Sequence, residues 1–176
     1  MPSSSILFTA QTIGKALSRI ASQIVEQTED PAELALVGIQ QKGVLLAGVL
    51  QAELKRLDIG VQAGSLDVSM HRDDLSQNPT PEIQPTSIPF DINHKTVVLV
   101  DDVIFSGRTI RAALDALNDY GRPQCVRLAV LIDRGRRQLP IAPDFVGRVV
   151  SIGLDERVLV KPLESSDDIE VYLLKP

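Results

Sequence analysis

The sequence is poor in cysteine and in aromatic residues. It contains one cysteine, no tryptophan, two tyrosines and four phenylalanines among 176 residues. The lone Cys125 cannot form an internal disulfide, which favours a cytoplasmic protein. With so few aromatic side chains, the chain also has little surface on which the bases of a single-stranded nucleic acid could stack.

Long hydrophobic runs and a strong charge of either sign are absent as well. No apolar run approaches the roughly 18 residues that a membrane-spanning helix needs, so we expect no membrane partner. The formal net charge of −5 excludes a global attraction to nucleic acid and leaves only a local basic face for such binding. Hydrophobic residues make up 44% of the chain, enough for one full core. We therefore expect residues 1–176 to form a single domain.

The chain does contain alternating helical patterns and short apolar runs. A strand, a helix and a second strand of these lengths form a crossover unit, which implies a parallel sheet covered on both faces. The predicted fold class is therefore α/β. The predicted helices are 10–28, 43–57 and 107–119, and the predicted strands are 33–39, 63–70, 96–101, 126–132, 148–153, 157–163 and 169–174.

Residues 71–95 differ from the rest of the chain because they are rich in proline and have little periodicity. A stretch of this length inside a compact domain is usually either a functional lid or a disordered segment. We favour the lid.

The stretch KTVVLVDDVIFSGRTIRAALDAL, residues 95–117, carries the clearest chemical signal. A buried-looking strand ends in Asp101 and Asp102, and a loop of small residues then leads into a helix. Ligands of an open parallel sheet bind beyond the carboxyl ends of its strands. The free N–H groups at a helix start attract an anion, and Gly107 lets the backbone come close to it. Ser106 and Thr109 add hydroxyl donors.

Two carboxylates beside an anion site suit a ligand with neighbouring hydroxyl groups and a phosphate, as in a ribose 5-phosphate. The loop is not a Walker loop, because a single Gly107 is followed by Arg108. Three other interpretations fit the spacing: solvated acids before an ordinary capped helix, a receiver domain, and a metal-binding strand end.

Four segments resemble the PyrR family of type I phosphoribosyltransferases. VVLVDDVIFSGRT (97–109) is similar to the family's phosphoribosyl-pyrophosphate signature, and LVGIQQKGVLLAGVL (36–50) to its pyrophosphate-loop segment. LDVSMHRDDL (66–75) and AVLIDRGRRQLPIAPDFVGR (129–148) resemble segments specific to PyrR proteins.

This resemblance implies a type I phosphoribosyltransferase fold, a central parallel sheet flanked by helices with a small hood. The core would span about 10–150, and the N-terminal segment and about 133–176 would form the hood. Proteins of the family convert uracil and phosphoribosyl pyrophosphate to UMP and pyrophosphate. Many also bind the leader RNA of pyrimidine genes when UMP is present, which attenuates transcription. We expect a homo-oligomer, a dimer or higher.

The resemblance also assigns residues to the sugar donor. Asp101 and Asp102 would hold the ribose hydroxyls, and the following loop would bind the 5-phosphate. Lys42 belongs to the pyrophosphate loop, where the family often has a cis non-proline peptide and where many members have arginine. The full predicted set for phosphoribosyl pyrophosphate and UMP is Gln41, Lys42, Gly43, Asp101, Asp102, Val103, Ile104, Phe105, Ser106, Gly107, Arg108 and Thr109.

Arg72 begins the predicted lid and would stabilise the negative charge that grows on the leaving diphosphate, together with Mg²⁺. We count it with Asp101 and Asp102 as the predicted catalytic residues. Asp73 and Asp74 would bind the metal through water, or they would only cap a turn.

Phe105 bears on the choice of base. Hypoxanthine-type enzymes place an aspartate at this point, whereas an aromatic side chain accepts no proton, which favours a pyrimidine. Packing in the core is the alternative role for this ring. Arg134, Val146 and Gly147 are the predicted base-binding residues.

A local basic face is the predicted site for RNA. It would comprise Lys15 and Arg19 on the first helix with Arg136, Arg137 and Arg148. The alternative is a solvated arginine-rich loop that pairs across a dimer interface. Two other functions remain open: a regulator that senses UMP with little catalysis, and a purine phosphoribosyltransferase.

Overall fold

The computed structural model describes residues 3–73, 83–164 and 168–176. Its secondary structure follows the order β1, α1, β2, α2, β3, β4, α3, β5, β6, β7, β8, with short 3₁₀ turns at Pro31–Glu33 and Ser69–His71. The helices are α1 (Ala10–Glu26), α2 (Lys42–Arg56) and α3 (Arg108–Leu117). The strands are β1 (Ser3–Phe8), β2 (Leu34–Ile39), β3 (Gln62–Leu66), β4 (Thr96–Ile104), β5 (Cys125–Asp133), β6 (Phe145–Val149), β7 (Arg157–Pro162) and β8 (Ile169–Lys175).

Among the described residues, five strands form a parallel sheet in the order β3-β2-β4-β5-β6. β4 is the central strand, and a hydrophobic core covers each face of it, so its residues alternate between two cores. Val98 and Val100 belong to the core beneath α1 and α2, and Val97 and Leu99 to the core beneath α3. This arrangement confirms the predicted α/β class.

The N-terminal segment and the last quarter of the chain form a second sheet. It is antiparallel, in the order β1-β8-β7. Val160, Ile169 and Val171 are buried in the same core as the inner face of α1. The sequence analysis did not identify β1, because its alternation is weak and its residues are largely exposed.

Two predicted strands are wrong in their extent. The strand expected over 63–70 ends at Leu66, because the Asp67 carboxylate accepts hydrogen bonds from the N–H and hydroxyl groups of Ser69 and thereby favours a 3₁₀ turn. The strand expected over 148–153 lies instead at Phe145–Val149, where it pairs with β5.

The second half of the predicted lid packs against the domain. Ser87 pairs with Ser65 of β3 in an isolated bridge, and Ile92 is fully buried. Residues 83–95 are therefore fixed to the sheet edge and to the core beneath α3. Residues 74–82, and with them Asp74, lie outside the described residues. The part of the chain that the structure describes has no helix long and apolar enough to cross a membrane.

Candidate active site

The paired acids lie inside β4 rather than beyond its end, because the pairing with β5 continues to Ile104. Asp101 is 7% exposed, and its Oδ1 accepts a hydrogen bond from the N–H of Asp102 at 2.9 Å. The Asp102 carboxylate accepts one from the N–H of Val103 at 2.8 Å. Both side chains are therefore oriented by the backbone before any ligand arrives.

Burial raises the pKa of Asp101 well above its usual range, and the negative charge of Asp102 raises it further. The positive charge of Arg72 opposes both effects. The unliganded pair therefore resists carrying two negative charges. The oxygens of such a pair can accept hydrogen bonds, and a nearby cation such as Arg72 favours the charged form of Asp101.

The loop after β4 turns sharply into α3. Gly107 has a φ of 92°, a left-handed conformation that suits glycine, and α3 begins at the next residue. The N–H of Arg108 points back to the Ser106 hydroxyl at 3.3 Å. The N–H groups in the first turn of a helix have no partner within the helix, so this turn is a site for an anion.

A cavity of about 670 Å³ joins Asp101 to this loop, whereas Asp102 is not among the residues that line it. Arg72 and Asp73 lie on its wall, and so does Gln138, which the sequence analysis missed. Gln138 comes from a loop distant in sequence, so no local pattern could have identified it. Of the predicted site residues, the cavity brings together Arg72, Asp73, Asp101, Val103, Ile104, Phe105, Ser106, Gly107, Arg108 and Thr109.

The predicted pyrophosphate loop packs against the backbone of β4 at Val100 and Asp101. The Gln40–Gln41 peptide is cis, in the loop where the resemblance implies such a bond. A Cβ on Gly43 would lie 2.2 Å from the carbonyl oxygen of Val100, the residue before Asp101. A Cβ added to Gly38 of β2 would likewise lie 2.5 Å from the carbonyl oxygen of Gly43. Backbone contact between β2, α2 and β4 therefore places the start of α2 against β4 beside Asp101. The predicted residues Gln41, Lys42 and Gly43 are not among those that line the cavity.

Asp73 is held by two arginines of α3. Its Oδ2 accepts from Arg108 Nη1 at 2.6 Å and from Arg111 Nη1 at 3.1 Å. The Nε of Arg108 donates to Gln138 at 3.0 Å. In this arrangement the Asp73 carboxylate neutralises cations instead of standing free, and its metal role stays a prediction.

The donor chemistry of the site fits Mg²⁺. The described residues contain no cluster of three or more acidic, histidine or cysteine side chains that could hold a metal on its own. Mg²⁺ normally keeps several waters and uses one or two carboxylates together with substrate phosphates. The predicted metal residue Asp73 and the nearby Asp101 both lie on the cavity wall, so their carboxylates would hold such an ion through water once a phosphate-bearing ligand is bound.

Arg137 has an internal structural role. Its guanidinium donates to both Asp133 oxygens, to the Phe105 carbonyl and to the Ile141 carbonyl, and its side chain is only 22% exposed. Although burial alone would raise the pKa of Asp133, hydrogen bonds from Arg137 and from the N–H of Gly135 lower it below its usual range. Arg137 thus connects the arginine-rich loop to the turn that precedes α3, and its predicted contact with RNA stays a prediction.

Of the predicted base-binding residues, Arg134 lies against Phe105, whereas Val146 and Gly147 belong to β6. The Arg134 guanidinium lies over the Phe105 ring, 4.4 Å from its centroid, and its Nε is buried with no hydrogen-bond partner among the described residues. Burial lowers the pKa of Arg134, and the like charge of Arg136 lowers it further.

The basic residues predicted for RNA are not all equally available. Lys15, Arg136 and Arg148 are exposed, and Arg148 lies 5.7 Å from the Phe8 ring centroid. Arg19 is also exposed, but it donates to two backbone carbonyls of β6.

Comparisons with known proteins agree with this geometry. Residues 3–157 match the phosphoribosyl transferase domain family. Relatives named "Bifunctional protein PyrR" include one from Picosynechococcus, 48% identical over 168 residues, covering 94% of this chain and 95% of the relative. Another, from Leifsonia xyli, is 53% identical over 155 residues and covers 85% of each.

Solved structures of similar fold include a hypoxanthine-guanine phosphoribosyltransferase from Bacillus anthracis. Its TM-score is 0.72 at 17% identity, covering 94% of this chain and 96% of that one. The hypoxanthine phosphoribosyltransferase of Trypanosoma cruzi gives 0.69 at 18% identity, covering 95% of each chain. At such low identity these structures establish the fold alone. The family match and the relatives establish more: the chain belongs to the phosphoribosyl transferase family and, within it, to the PyrR proteins.

Proposed function

We propose that this protein transfers a phosphoribosyl group from phosphoribosyl pyrophosphate to uracil, releasing UMP and pyrophosphate. The observation that carries the proposal is the shared cavity, whose wall includes both the buried Asp101 and the Ser106–Thr109 turn that opens α3. One ligand can therefore place hydroxyl groups on the acids and a phosphate on the helix start.

The ribose is held from two directions. Asp101 and Asp102 accept hydrogen bonds from the two neighbouring hydroxyls, each worth about 1.5–3 kcal/mol because the acceptor is charged. The phosphate receives backbone N–H groups at the start of α3, where the helix dipole adds about 0.3–1 kcal/mol. These contacts fix the sugar so that its first carbon faces the base.

The leaving diphosphate lies between the start of α2 and Arg72, where the predicted lid begins. Lys42 supplies a positive charge there, and the cavity-wall residue Arg72 supplies a second. When bound, Mg²⁺ neutralises charge on the diphosphate oxygens. As the bond between the sugar and the diphosphate breaks, positive charge on the ribose is stabilised by the nearby Asp101 and Asp102.

The base side favours uracil over a purine. Phe105 presents an aromatic face, 39% exposed, where hypoxanthine-type enzymes have an acid. Arg134, whose guanidinium lies over the Phe105 ring, supplies a positive charge on this side, and backbone groups of Val146 and Gly147 would recognise the uracil edge.

A steady-state competition tests this proposal. With Mg²⁺ and phosphoribosyl pyrophosphate present, we expect uracil to be consumed and hypoxanthine and guanine to react at least about 100-fold less efficiently, because the site offers a purine ring no acid partner. Preferred use of a purine would overturn the choice of base. UMP binding without any turnover would instead identify a sensor with little catalysis.

We also propose a second activity, UMP-dependent binding of pyrimidine-operon leader RNA. The observation that favours it is the exposure of Lys15, Arg136 and Arg148 on a chain that is acidic overall. Local basic residues provide phosphate contacts that a net charge of −5 does not.

Filter binding at increasing salt measures this second activity. We expect the affinity for leader RNA to rise with UMP and to fall steeply with salt, because each phosphate contact releases counterions. Replacing Arg136 with Gln should reduce the salt slope by about one and leave uracil turnover unchanged. If RNA binding at low salt is the same with and without UMP, the regulatory activity is ruled out.

A further inference from the structure

One arginine connects α1 to the edge of the large sheet. Arg19 is exposed and lies one helical turn from the buried Ala16, so its side chain leaves α1 beside the packed face. Its Nη1 donates to the carbonyl oxygen of Val146 at 3.2 Å, and its Nη2 donates to that of Gly147 at 2.6 Å. Because the guanidinium is planar and rigid, the spacing of these two oxygens relative to the helix is fixed.

The same stretch of β6 is fixed from its other side as well. A Cβ on Gly147 would lie 2.4 Å from the carbonyl oxygen of Leu131, so the backbones of β5 and β6 are in direct contact there. Val146 pairs with Val130 in the parallel register. Among the described strands β6 is at the sheet edge. Arg19 therefore connects two successive carbonyl groups of this edge strand to α1.

We propose that Arg19 is a positioning residue for base recognition. The inference rests on the proposed function, in which the backbone of Val146 and Gly147 meets uracil. By holding both carbonyl oxygens, Arg19 sets the orientation of the peptide groups that face the base.

The test is a kinetic comparison of three variants of the full chain. We expect Arg19→Gln to raise the KM for uracil by about tenfold, with the KM for phosphoribosyl pyrophosphate and kcat within about threefold of the wild type. The KM of Arg19→Lys for uracil should lie between those of the wild type and Arg19→Gln, because a point charge keeps the attraction but cannot span both oxygens. Ser22→Ala is the matched control, since its hydroxyl is bonded only within α1, to the Ser18 carbonyl.

Circular dichroism and thermal unfolding of each variant report whether it is folded. A folded Arg19→Gln protein with an unchanged KM for uracil overturns the role of Arg19 while the proposed function stands. A lower kcat together with an equal rise in both KM values, with Arg19→Lys no better than Arg19→Gln, identifies a general structural role. That outcome also overturns the positioning role of Arg19. If the wild type itself does not use uracil, the proposed function fails, and the positioning role fails with it.

Discussion

Replacing either acid of the pair with its amide is expected to reduce kcat/KM for phosphoribosyl pyrophosphate by about 100-fold or more. Each substitution weakens charged hydrogen bonds to the ribose hydroxyls, which contribute about 1.5–3 kcal/mol apiece, and removes a charge that stabilises the cationic transition state. The measurement is steady-state kinetics of Asp101→Asn and Asp102→Asn with the sugar donor varied at saturating uracil.

The folded state should tolerate these changes, most clearly at Asp101. Because burial and the charge of Asp102 raise the pKa of Asp101, a neutral amide relieves repulsion in the free protein, and its oxygen can still accept the N–H of Asp102. We expect an unchanged or higher Tm together with the loss of activity. Asp115→Asn is the control, since Asp115 is 53% exposed on α3 and pairs only loosely with Arg111. Near-normal kinetics in both site variants would contradict the assignment of the ribose.

Gly43→Ala is expected to abolish most activity and to lower Tm. The added Cβ would lie 2.2 Å from the Val100 carbonyl oxygen, a backbone atom that cannot turn aside. Overpacking of this kind costs about 1–3 kcal/mol or more, which corresponds to a fall in Tm of roughly 2–12 °C. The start of α2 must shift away from β4, and that shift carries the predicted pyrophosphate loop away from Asp101. Thermal unfolding and turnover measure the two effects.

Gly48→Ala is the matched control, in the same helix. A Cβ at Gly48 meets nothing within 4 Å. Because alanine favours a helix over glycine by about 0.8–1 kcal/mol, this variant should be slightly more stable and equally active. A Gly43→Ala protein that behaves like Gly48→Ala would show that the close contact has no role in the site.

The α/β fold and much of the site could be predicted because their signals are local. Asp101, Asp102 and Gly107 belong to one strand-loop-helix segment, in which the apolar run and the glycine determine the geometry almost alone. The three helices were predicted to within about two residues at each end for the same reason.

Features that depend on contacts distant in sequence could not be predicted. Asp73 meets arginines of α3, and Arg137 is oriented by Asp133 and the Phe105 carbonyl, so neither side chain is as free as its charge suggested. The same limit applies to β1, which is a strand because β8 pairs with it. Residues 83–95 looked irregular, yet the buried Ile92 fixes them to the core.

The small antiparallel sheet has a consequence for synthesis on the ribosome. β1 pairs only with β8 among the described strands, and Ile169 and Val171 complete the core on the inner face of α1. While the nascent chain emerges, the first strand and one flank of the first helix must wait for partners that follow about 160 residues later in the chain. The parallel sheet can assemble earlier, but the N-terminal segment stays exposed to chaperones until β8 has been translated.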